Sequence, residues 1–280
     1  MLRPLSAVLS EPGPLIMGIL NATPDSFSDG GLHVDPSIAR AAALEMCAEG
    51  VDIIDIGGES TRPGSRSVEP AVQLNRVLPI IETLIEAGIG SQGVSLSIDT
   101  ASAQVAESCI QAGCQMVNDV TAGTGDPNML RMVAEQGVHM VLMHMQGSPE
   151  TMQLHPLYDD VVLDVLDFLE RRVEAALTAG VEPSRILLDP GIGFGKTREH
   201  NLDLLRGLSR IAGLGFPLVL GCSRKRFMGG ICRESDPLLL SGATVATTAY
   251  GVLNQARVFR VHEVRANRQA ADLTWALMQA

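Results

Sequence analysis

The chain has 280 residues, of which 46% are hydrophobic, and its 32 acidic side chains outnumber 21 basic ones to give a formal net charge of −11. Because a negative protein repels nucleic-acid backbones and anionic lipid surfaces at long range, the composition argues against binding to either. The hydrophobic share is enough to bury one large core, in two small domains or in one α/β barrel of ordinary size.

The cysteines and the spread of polar residues bear on the compartment of the protein. Five cysteines form an odd set without a Cys-x-x-Cys pair, so neither a disulfide framework nor a zinc knuckle is indicated. Glu11, Pro12 and Pro14 interrupt any secretory apolar segment near the N-terminus. The longest uncharged stretch, 237–256, carries too many polar groups for a membrane span. We therefore expect a cytoplasmic protein with no membrane and no nucleic-acid partner.

Short runs rich in Val, Ile, Leu and Met alternate along the chain with amphipathic stretches of helical length. The runs lie at 15–20, 51–56, 94–98, 115–120, 139–143, 185–188, 217–220 and 256–261. The helical stretches lie at about 36–49, 69–88, 101–113, 127–136, 159–180, 198–213, 237–254 and 264–279. Near-continuous apolar strands are typical of a parallel sheet covered on both faces. Eight strand-helix units favour a closed (β/α)8 TIM barrel, and a doubly wound sheet is the alternative.

No break in composition divides the chain into separate parts. We predict a single domain over 1–280, with 1–13 as a short N-terminal extension. Gly50, Gly113, Gly137 and Gly180 each follow a helical stretch and precede a strand. This is the place of a left-handed helix C-cap, so the glycines support the predicted boundaries.

The residues that close the predicted strands should form one ring, because barrels of this type carry their chemistry at the C-terminal strand ends. The first strand closes on the carboxamide of Asn21. The ring has basic members at Arg62, Lys225, Arg260 and His262, and carboxylate or amide members at Asp99, Asn118 and Asp189. The basic members would suit an anion such as a phosphate ester, and the others would suit a flat heterocycle bearing amino groups. Together they predict a heterocycle that carries a phosphate.

Each of these residues also has a purely structural interpretation. The segment after Asp99 could be a helix cap, Asp189 could start a turn, and the basic side chains could be surface ion-pair partners. Their common position at one end of the predicted barrel favours a site. Arg260 and His262 are two residues apart on a strand, so both point to the same face.

The glycine-rich segment 189–197 does not match a nucleotide-binding loop. A Walker A loop needs Gly where the chain has Pro190, and the dinucleotide fingerprint needs Gly where it has Lys196. The glycines instead favour a loop that bends closely around a ligand, with Phe194 available to pack on it. The sequence around His144 favours a supporting role through hydrogen bonds at least as strongly as a role as a metal ligand.

Eight stretches occur in the order and spacing of one enzyme family. They read MGILNATPDSFSDGG (17–31), IGGESTRPG (56–64), SIDT (97–100), VNDV (117–120), LMHMQG (142–147), LDPGIGFGK (188–196), GCSRK (221–225) and RVH (260–262). On these motifs, which extend over about 14–275, the chain resembles the dihydropteroate synthases of folate biosynthesis. The resemblance implies a transferase that condenses hydroxymethyl-dihydropterin pyrophosphate with p-aminobenzoate, giving dihydropteroate and pyrophosphate with the help of Mg²⁺.

The resemblance also implies roles for individual residues. Asn21 would hold Mg²⁺ and the pyrophosphate, and Arg62, Arg260 and His262 would bind the anion. The pterin would be bound by Asp99, Asn118 and Asp189 with Lys225, and the remaining substrate contacts would come from Thr61, Met143, Phe194 and Ser223. The residues assigned to catalysis are Asp25, Arg62 and Lys225. The loops 22–35 and 59–68 are expected to close over bound pyrophosphate, where we expect Asp25 to meet Arg62.

The family further implies a homodimer through the later helices and inhibition by sulfonamides, which imitate p-aminobenzoate. Two other functions stay open on the residues. One is a methyltransferase that keeps the pterin pocket, and the basic ring members argue against it because it has no pyrophosphate to bind. The other is a catalytically silent paralogue that binds pterin. The chain departs from the family pattern at Glu263, where Asp is expected.

Overall fold

Eight parallel strands close into a barrel in a computed structural model that describes residues 5–22, 35–90 and 93–280. Each strand pairs with its neighbours in sequence, and β1 pairs with β8. The strands are β1 Leu15–Asn21, β2 Ile53–Gly57, β3 Ser95–Asp99, β4 Met116–Asp119, β5 His139–Met143, β6 Ile186–Asp189, β7 Leu218–Leu220 and β8 Ala256–Val261. The predicted (β/α)8 TIM barrel is confirmed, and the doubly wound alternative is wrong.

Helices follow the strands around the outside of the barrel. They are α1 Leu5–Ser10, α2 Pro36–Ala48, α3 Pro70–Glu86, α4 Ala103–Gln111, α5 Met129–Gln136, α6 Val161–Thr178, α7 Arg198–Arg206, α8 Leu208–Ala212, α9 Arg226–Cys232, α10 Ser241–Leu253 and α11 Val264–Gln279. The predicted helix 198–213 is divided at Gly207, and α1 and α9 were not predicted. No helix in the described ranges combines the length and apolarity that crossing a bilayer requires.

The four glycines at the predicted helix ends adopt the backbone expected of them. Gly50, Gly113, Gly137 and Gly180 all have φ between 62° and 124°. Side chains strain the chain in this left-handed region, so glycine ends each helix at low cost. The strands that follow therefore start where the sequence pattern placed them, to within two residues.

The barrel interior is apolar at the N-terminal ends of the strands. Its buried cluster consists of Leu5, Val8, Leu15, Met17, Ile53, Met116, Val141, Leu187, Val219 and Val258. Leu5 and Val8 come from α1, which covers this end of the barrel. Arg257 on β8 donates to the carbonyl oxygens of Val8 and Glu11 and so fastens the covering segment. The polar residues are left at the opposite end, where the loops after the strands begin.

Candidate active site

Residues at the ends of four strands lie in one row. The register pairs Asn21 with Gly57, Gly57 with Asp99, and Asp99 with Asn118. Gly57 contributes no side chain, and a Cβ built there would lie 3.7 Å from Asn21 Oδ1 and 3.6 Å from Asp99 Cβ. The glycine therefore leaves a gap between a carboxamide and a carboxylate, into which a ligand can reach.

A cavity of about 990 Å³ opens above this row. The residues selected from the sequence that line it are Asn21, Thr61, Arg62, Asp99, Phe194, Ser223, Lys225, Arg260 and His262. Three others, Asn118, Met143 and Asp189, are buried at the same end of the barrel. Asp25 lies outside the described residues, as does the rest of the segment 23–34. Every described candidate is thus found at one end of the molecule.

A cluster of two carboxylates and one guanidinium forms the inner wall of the cavity. Arg260 Nε donates to Asp55 Oδ2 at 2.7 Å, and Arg260 Nη2 donates to Asp99 Oδ2 at 2.7 Å. Asn118 Nδ2 donates to the same oxygen of Asp55 at 2.9 Å. Arg260 is therefore already paired with two acids, and its side chain is a fixed platform rather than a free cation.

The electrostatics of this cluster follow from its burial. Burial would lower the pKa of Arg260, but Asp55 and Asp99 together raise it above its usual value. Burial raises the pKa of Asp99 to about 7, against the opposing effect of Arg260. A ligand that donates hydrogen bonds to Asp99 would favour its carboxylate form, so ring N–H groups are suitable partners for it.

His262 is neutral rather than cationic. Burial lowers its pKa to about 3, and Arg224, Arg260 and other nearby cations lower it further in the same direction. Ser223 Oγ accepts from the backbone N–H of His262 at 3.2 Å and lies 2.9 Å from His262 Nδ1. The hydroxyl is then free to donate to Nδ1, which leaves the ring proton on Nε2. A neutral imidazole that donates from Nε2 can still bind an anion.

Lys225 lies over the ring of Phe194, with its Nζ 4.0 Å from the ring centroid. Burial lowers the pKa of Lys225 to about 8, and Arg260 lowers it further, while Asp189 acts in the opposite direction. Asp189 is itself buried, which raises its pKa, and its Oδ1 accepts from the backbone N–H of Gly191 at 2.7 Å. The ammonium and the carboxylate thus flank the same part of the cavity.

The loop after β2 is anchored at its root by a buried glutamine. Gln73 Nε2 donates to Glu59 Oε2 at 2.7 Å, and Thr100 Oγ1 donates to Gln73 Oε1 at 2.9 Å. Farther along the loop, Gly64 donates to the carbonyl oxygen of Pro149 at 2.9 Å. Arg62 lies between these anchors and is exposed at the mouth of the cavity, so its charge is available to an incoming anion.

Glu263, the departure from the family pattern, has an identified partner. Arg224 donates from Nε to Glu263 Oε1 at 2.7 Å and donates to the same oxygen from Nη2. Arg224 has φ 56°, a left-handed backbone that is uncommon for a residue with a side chain. The ion pair fastens the segment that leads to Lys225, so the longer acid at 263 supports the wall of the site through Arg224.

The residues present are compatible with magnesium bound through a substrate. In the part of the chain that the structure describes, no group of three or more His, Cys, Asp or Glu side chains is arranged to hold a metal. Mg²⁺ typically keeps several waters and takes one or two protein oxygens together with substrate phosphates. Asn21 supplies one such oxygen at the cavity wall. The donor set suits a metal that arrives with a diphosphate.

Sequence reasoning missed two buried charged residues of this site. Asp55 lies in an apolar strand, and its partner Arg260 is 205 residues away. A signal was present, since Ile53 faces the barrel interior and strand alternation puts Asp55 on the same side. Lys196 was considered only as a mismatch to nucleotide-binding loops, yet it is 3% exposed and lines the cavity.

Comparison with known sequences agrees with this geometry. The family model described as pterin binding enzyme matches residues 17–262. Dihydropteroate synthase from Mycobacterium leprae (strain TN) is 42% identical over 271 residues, covering 95% of this chain and 94% of that protein. Dihydropteroate synthase from Synechocystis is 43% identical over 263 residues, covering 93% of this chain and 90% of that protein.

Three solved structures with the same fold hold a sulfonamide drug, 4-aminobenzoic acid and 7,8-dihydropteroate. Yersinia pestis dihydropteroate synthase with a sulfonamide drug has a TM-score of 0.89 and 39% identity, over 97% of this chain and 96% of that one. The Xanthomonas albilineans enzyme with 4-aminobenzoic acid has a TM-score of 0.88 and 42% identity, covering 97% of this chain and 94% of that chain. The same enzyme with 7,8-dihydropteroate has a TM-score of 0.84 and 39% identity, covering 97% of this chain and 95% of that chain. The chain belongs to the dihydropteroate synthase family of pterin-binding transferases.

Proposed function

We propose that this protein joins hydroxymethyl-dihydropterin pyrophosphate to p-aminobenzoate, forming dihydropteroate and releasing pyrophosphate. The observation that carries the proposal is the composition of the cavity of about 990 Å³ at the C-terminal strand ends. Asp99 lines this cavity, the buried Asp189 lies at the same end of the barrel, and Lys225 and the exposed Arg62 supply cations. Acids suit a ring with amino groups, and cations suit a diphosphate, so the cavity matches both parts of this substrate.

The pterin is proposed to bind deepest, against the inner wall. The side chains of Asp99 and Asp189 would accept from its ring N–H and amino groups. Asn118 donates its amide N–H to Asp55, which leaves its carbonyl oxygen for the ligand. Arg260, held flat by two carboxylates, offers a planar surface for the bicyclic ring. Met143 packs with Phe194 in a small apolar cluster and would support the ring edge.

The C–O bond between the exocyclic carbon and the pyrophosphate would break, and its electron pair would leave with the pyrophosphate oxygen. Arg62, Lys225 and the Nε2–H of His262 would neutralise the growing negative charge, which a water-poor cavity strengthens. The carbon left behind is positively charged and conjugated to the pterin, and the carboxylates of Asp99 and Asp189 would stabilise it. This is a dissociative substitution, because the bond to the leaving group breaks before the new bond forms.

The amine of p-aminobenzoate would then attack this carbon and lose a proton to solvent. No protein nucleophile is needed, since the arylamine carries the electron pair that forms the new C–N bond. We place the aromatic ring of this substrate beside Phe194, with Thr61 and Ser223 lining the rest of its subsite. Sulfonamides imitate this substrate, so we propose that they compete for the same place.

Magnesium is proposed as the cofactor, held by Asn21 together with oxygens of the diphosphate. When bound, the ion supplies positive charge to the leaving group. Asp25 is proposed to act with Arg62 when the loop that carries it meets the loop after β2. These assignments come from the family resemblance and from the position of Asn21 and Arg62 at the cavity.

We further propose that residues 1–280 act as one cytoplasmic pterin-binding domain and that two copies form a homodimer. Helices α10 and α11 pack against each other and expose apolar side chains at Tyr250, Leu253, Leu273 and Leu277. Exposed apolar residues grouped on neighbouring helices suit a contact between copies. Sedimentation equilibrium of the purified protein tests the proposal, since a monomer at micromolar concentration would contradict it.

Product formation tests the proposed activity directly. The purified protein is mixed with the pterin pyrophosphate, 4-aminobenzoate and Mg²⁺, and dihydropteroate and pyrophosphate are quantified in parallel. We expect the two products in equal amounts and none when hydroxymethyl-dihydropterin without pyrophosphate is supplied. Methyl transfer from methyltetrahydrofolate would instead support the methyltransferase alternative. Pterin binding by titration without any product would support the silent paralogue.

A further inference from the structure

Lys196 is a buried cation with no role in the reaction described above. It closes the glycine-rich loop between β6 and α7, and only 3% of the residue is exposed. Its ammonium lies 2.9 Å from His144 Nδ1 and donates to the carbonyl oxygen of Phe194 at 2.9 Å. Neither partner is an anion. Burying an ammonium in this way is costly, so its presence calls for a function other than stability.

The partner of Lys196 belongs to the neighbouring loop. His144 follows β5, is 6% exposed, and packs edge-on against Phe168 with ring centroids 4.9 Å apart. Its backbone N–H donates to the carbonyl oxygen of Asp189 at 3.0 Å. His144 is therefore fixed on both its backbone and its ring, and it gives the ammonium of Lys196 a rigid acceptor.

The two loops are in close contact along the glycine-rich segment. A Cβ on Gly191 would lie 1.8 Å from the carbonyl oxygen of His144, and a Cβ on Gly195 would lie 2.4 Å from that of Gln146. The hydroxyl of Tyr158 donates to the carbonyl oxygen of Gly195 at 2.7 Å. The loop between β6 and α7 is thus seated on the loop after β5, and Lys196 joins the two through its side chain.

This seating sets the position of one wall of the active site. Phe194 lies two residues before Lys196, and its carbonyl oxygen is one of three acceptors of Lys196 Nζ, the others being Nδ1 and the carbonyl oxygen of His144. The Phe194 ring is 9% exposed and lies under the ammonium of Lys225. A shift of the Phe194 backbone would change the position of the ring relative to Lys225 and to the cavity that both residues line.

The protonation states of the pair agree with the hydrogen bond between them. Burial lowers the pKa of His144 to about 3, and the ammonium of Lys196 lowers it further. Burial also lowers the pKa of Lys196 to about 7, while Asp189 raises it and Lys225 lowers it. The amine is therefore only partly charged at pH 7, but it donates hydrogen bonds in either form. His144 is therefore neutral at pH 7, and its Nδ1 is available as the acceptor.

We propose that Lys196 is a positioning residue, which holds His144 and the Phe194 carbonyl and so fixes the Phe194 ring as the wall of the arylamine subsite. The proposal rests on the proposed function, because that function assigns Phe194 to the arylamine. Lys196 touches neither substrate in this account. It acts on the affinity for 4-aminobenzoate through these contacts, whereas at the deeper pterin site it reaches Asp189 only through its charge.

The substitution Lys196→Met tests the proposal, since it keeps an unbranched apolar stem and removes the ammonium. We expect the KM for 4-aminobenzoate to rise about tenfold, the effect of losing one charge-assisted hydrogen bond of about 1.4 kcal/mol. The kcat at saturation and the Kd for the pterin pyrophosphate should stay within about twofold of wild type. General damage to the barrel would change all three values together.

A second variant gives the same information by another route. His144→Gln removes the rigid acceptor and should raise the KM for 4-aminobenzoate in the same way. The double variant should be no worse than Lys196→Met alone, because that substitution already breaks the connection to His144. Arg206→Met is the matched control: Arg206 is exposed at the end of α7, pairs with Asp203 at 2.7 Å, and should leave all constants unchanged.

The outcomes separate the two proposals. A folded Lys196→Met protein with the wild-type KM for 4-aminobenzoate would overturn the positioning role. If that variant does not fold, His144→Gln decides, and an unchanged KM there has the same consequence. A wild-type protein that forms no dihydropteroate would instead overturn the proposed function.

Discussion

Asp55 offers the sharpest test of how the site is held together, because an isosteric and an apolar replacement should behave differently. Both of its hydrogen bonds, from Arg260 Nε and from Asn118 Nδ2, end on the same oxygen, Oδ2. The other oxygen, Oδ1, is buried without a partner, and so is Oγ of Ser97 at the adjacent register position. An asparagine can therefore keep its carbonyl oxygen where Oδ2 lies and direct its NH₂ group towards Ser97.

The expected losses of stability follow from these contacts. Asp55→Leu removes one acid from a buried ion pair, which should lower the free energy of unfolding by about 3 kcal/mol. This is the low end of the usual cost of breaking such a pair, because Arg260 still has Asp99 as a partner. It also leaves the buried amide of Asn118 without an acceptor, for about 1 kcal/mol more. The sum is about 4 kcal/mol. Asp55→Asn keeps both acceptor contacts and loses only the charge, so it should cost about 1 kcal/mol.

Urea unfolding followed by circular dichroism measures the difference, with the midpoint and the slope compared between variants. Asp203→Asn on the surface of α7 is the matched control and should not move the midpoint. Equal losses for Asp55→Asn and Asp55→Leu would refute the reasoning, because the charge alone would then account for the effect. A wild-type midpoint for Asp55→Leu would show that Arg260 and Asn118 do not depend on this acid.

Three further changes have definite expected outcomes. Gly191→Ala should prevent normal folding, because φ is 67° and the new Cβ would meet the carbonyl oxygen of His144. Gly64→Ala, at φ 84° in open space, should lower the melting temperature only slightly. Equal melting temperatures for the two variants would contradict this. Binding of the pterin pyrophosphate should take up protons near pH 8 and not near pH 6, because burial lowers the pKa of Lys225 to about 8 and a bound anion raises it again. Titration calorimetry in buffers of different ionisation enthalpy measures the uptake, and Lys225→Gln should abolish it. Arg62→Ala should reduce turnover much more than pterin affinity, and Asp25→Ala should behave alike; unchanged turnover in either variant would disprove their assignment to catalysis.

The fold could be predicted from the sequence because its signals are local. Each strand is a short apolar run, each helix has an apolar face, and glycines such as Gly113 and Gly180 mark the boundaries between them. The elements that were missed have weaker local signals. Helix α1 lies before two prolines, and α9 has seven residues with two glycines in its sequence. Their positions depend on packing against the barrel.

The site could be predicted only in part, because some of its properties arise between distant residues. The location of Asp99, Lys225 and Arg260 at one end follows from the strand ends alone. The strand ends do not reveal the charge states of the site, because Arg260 is paired with two acids and burial keeps His262 neutral. The pairing of Lys196 with His144 joins two loops that are 52 residues apart. No local pattern reports such contacts.

The order of the strands makes completion of the site depend on the end of the chain. Asp55 and Asp99 belong to β2 and β3, whereas the guanidinium that pairs with both of them lies on β8. Until β8 pairs with β1, two acids face each other in the growing interior without a counter-ion, and two sheet edges are unpaired. The strand that closes the ring thus also carries the cation of this cluster, and a chain truncated before residue 256 would lose both the closure and the ion pairs.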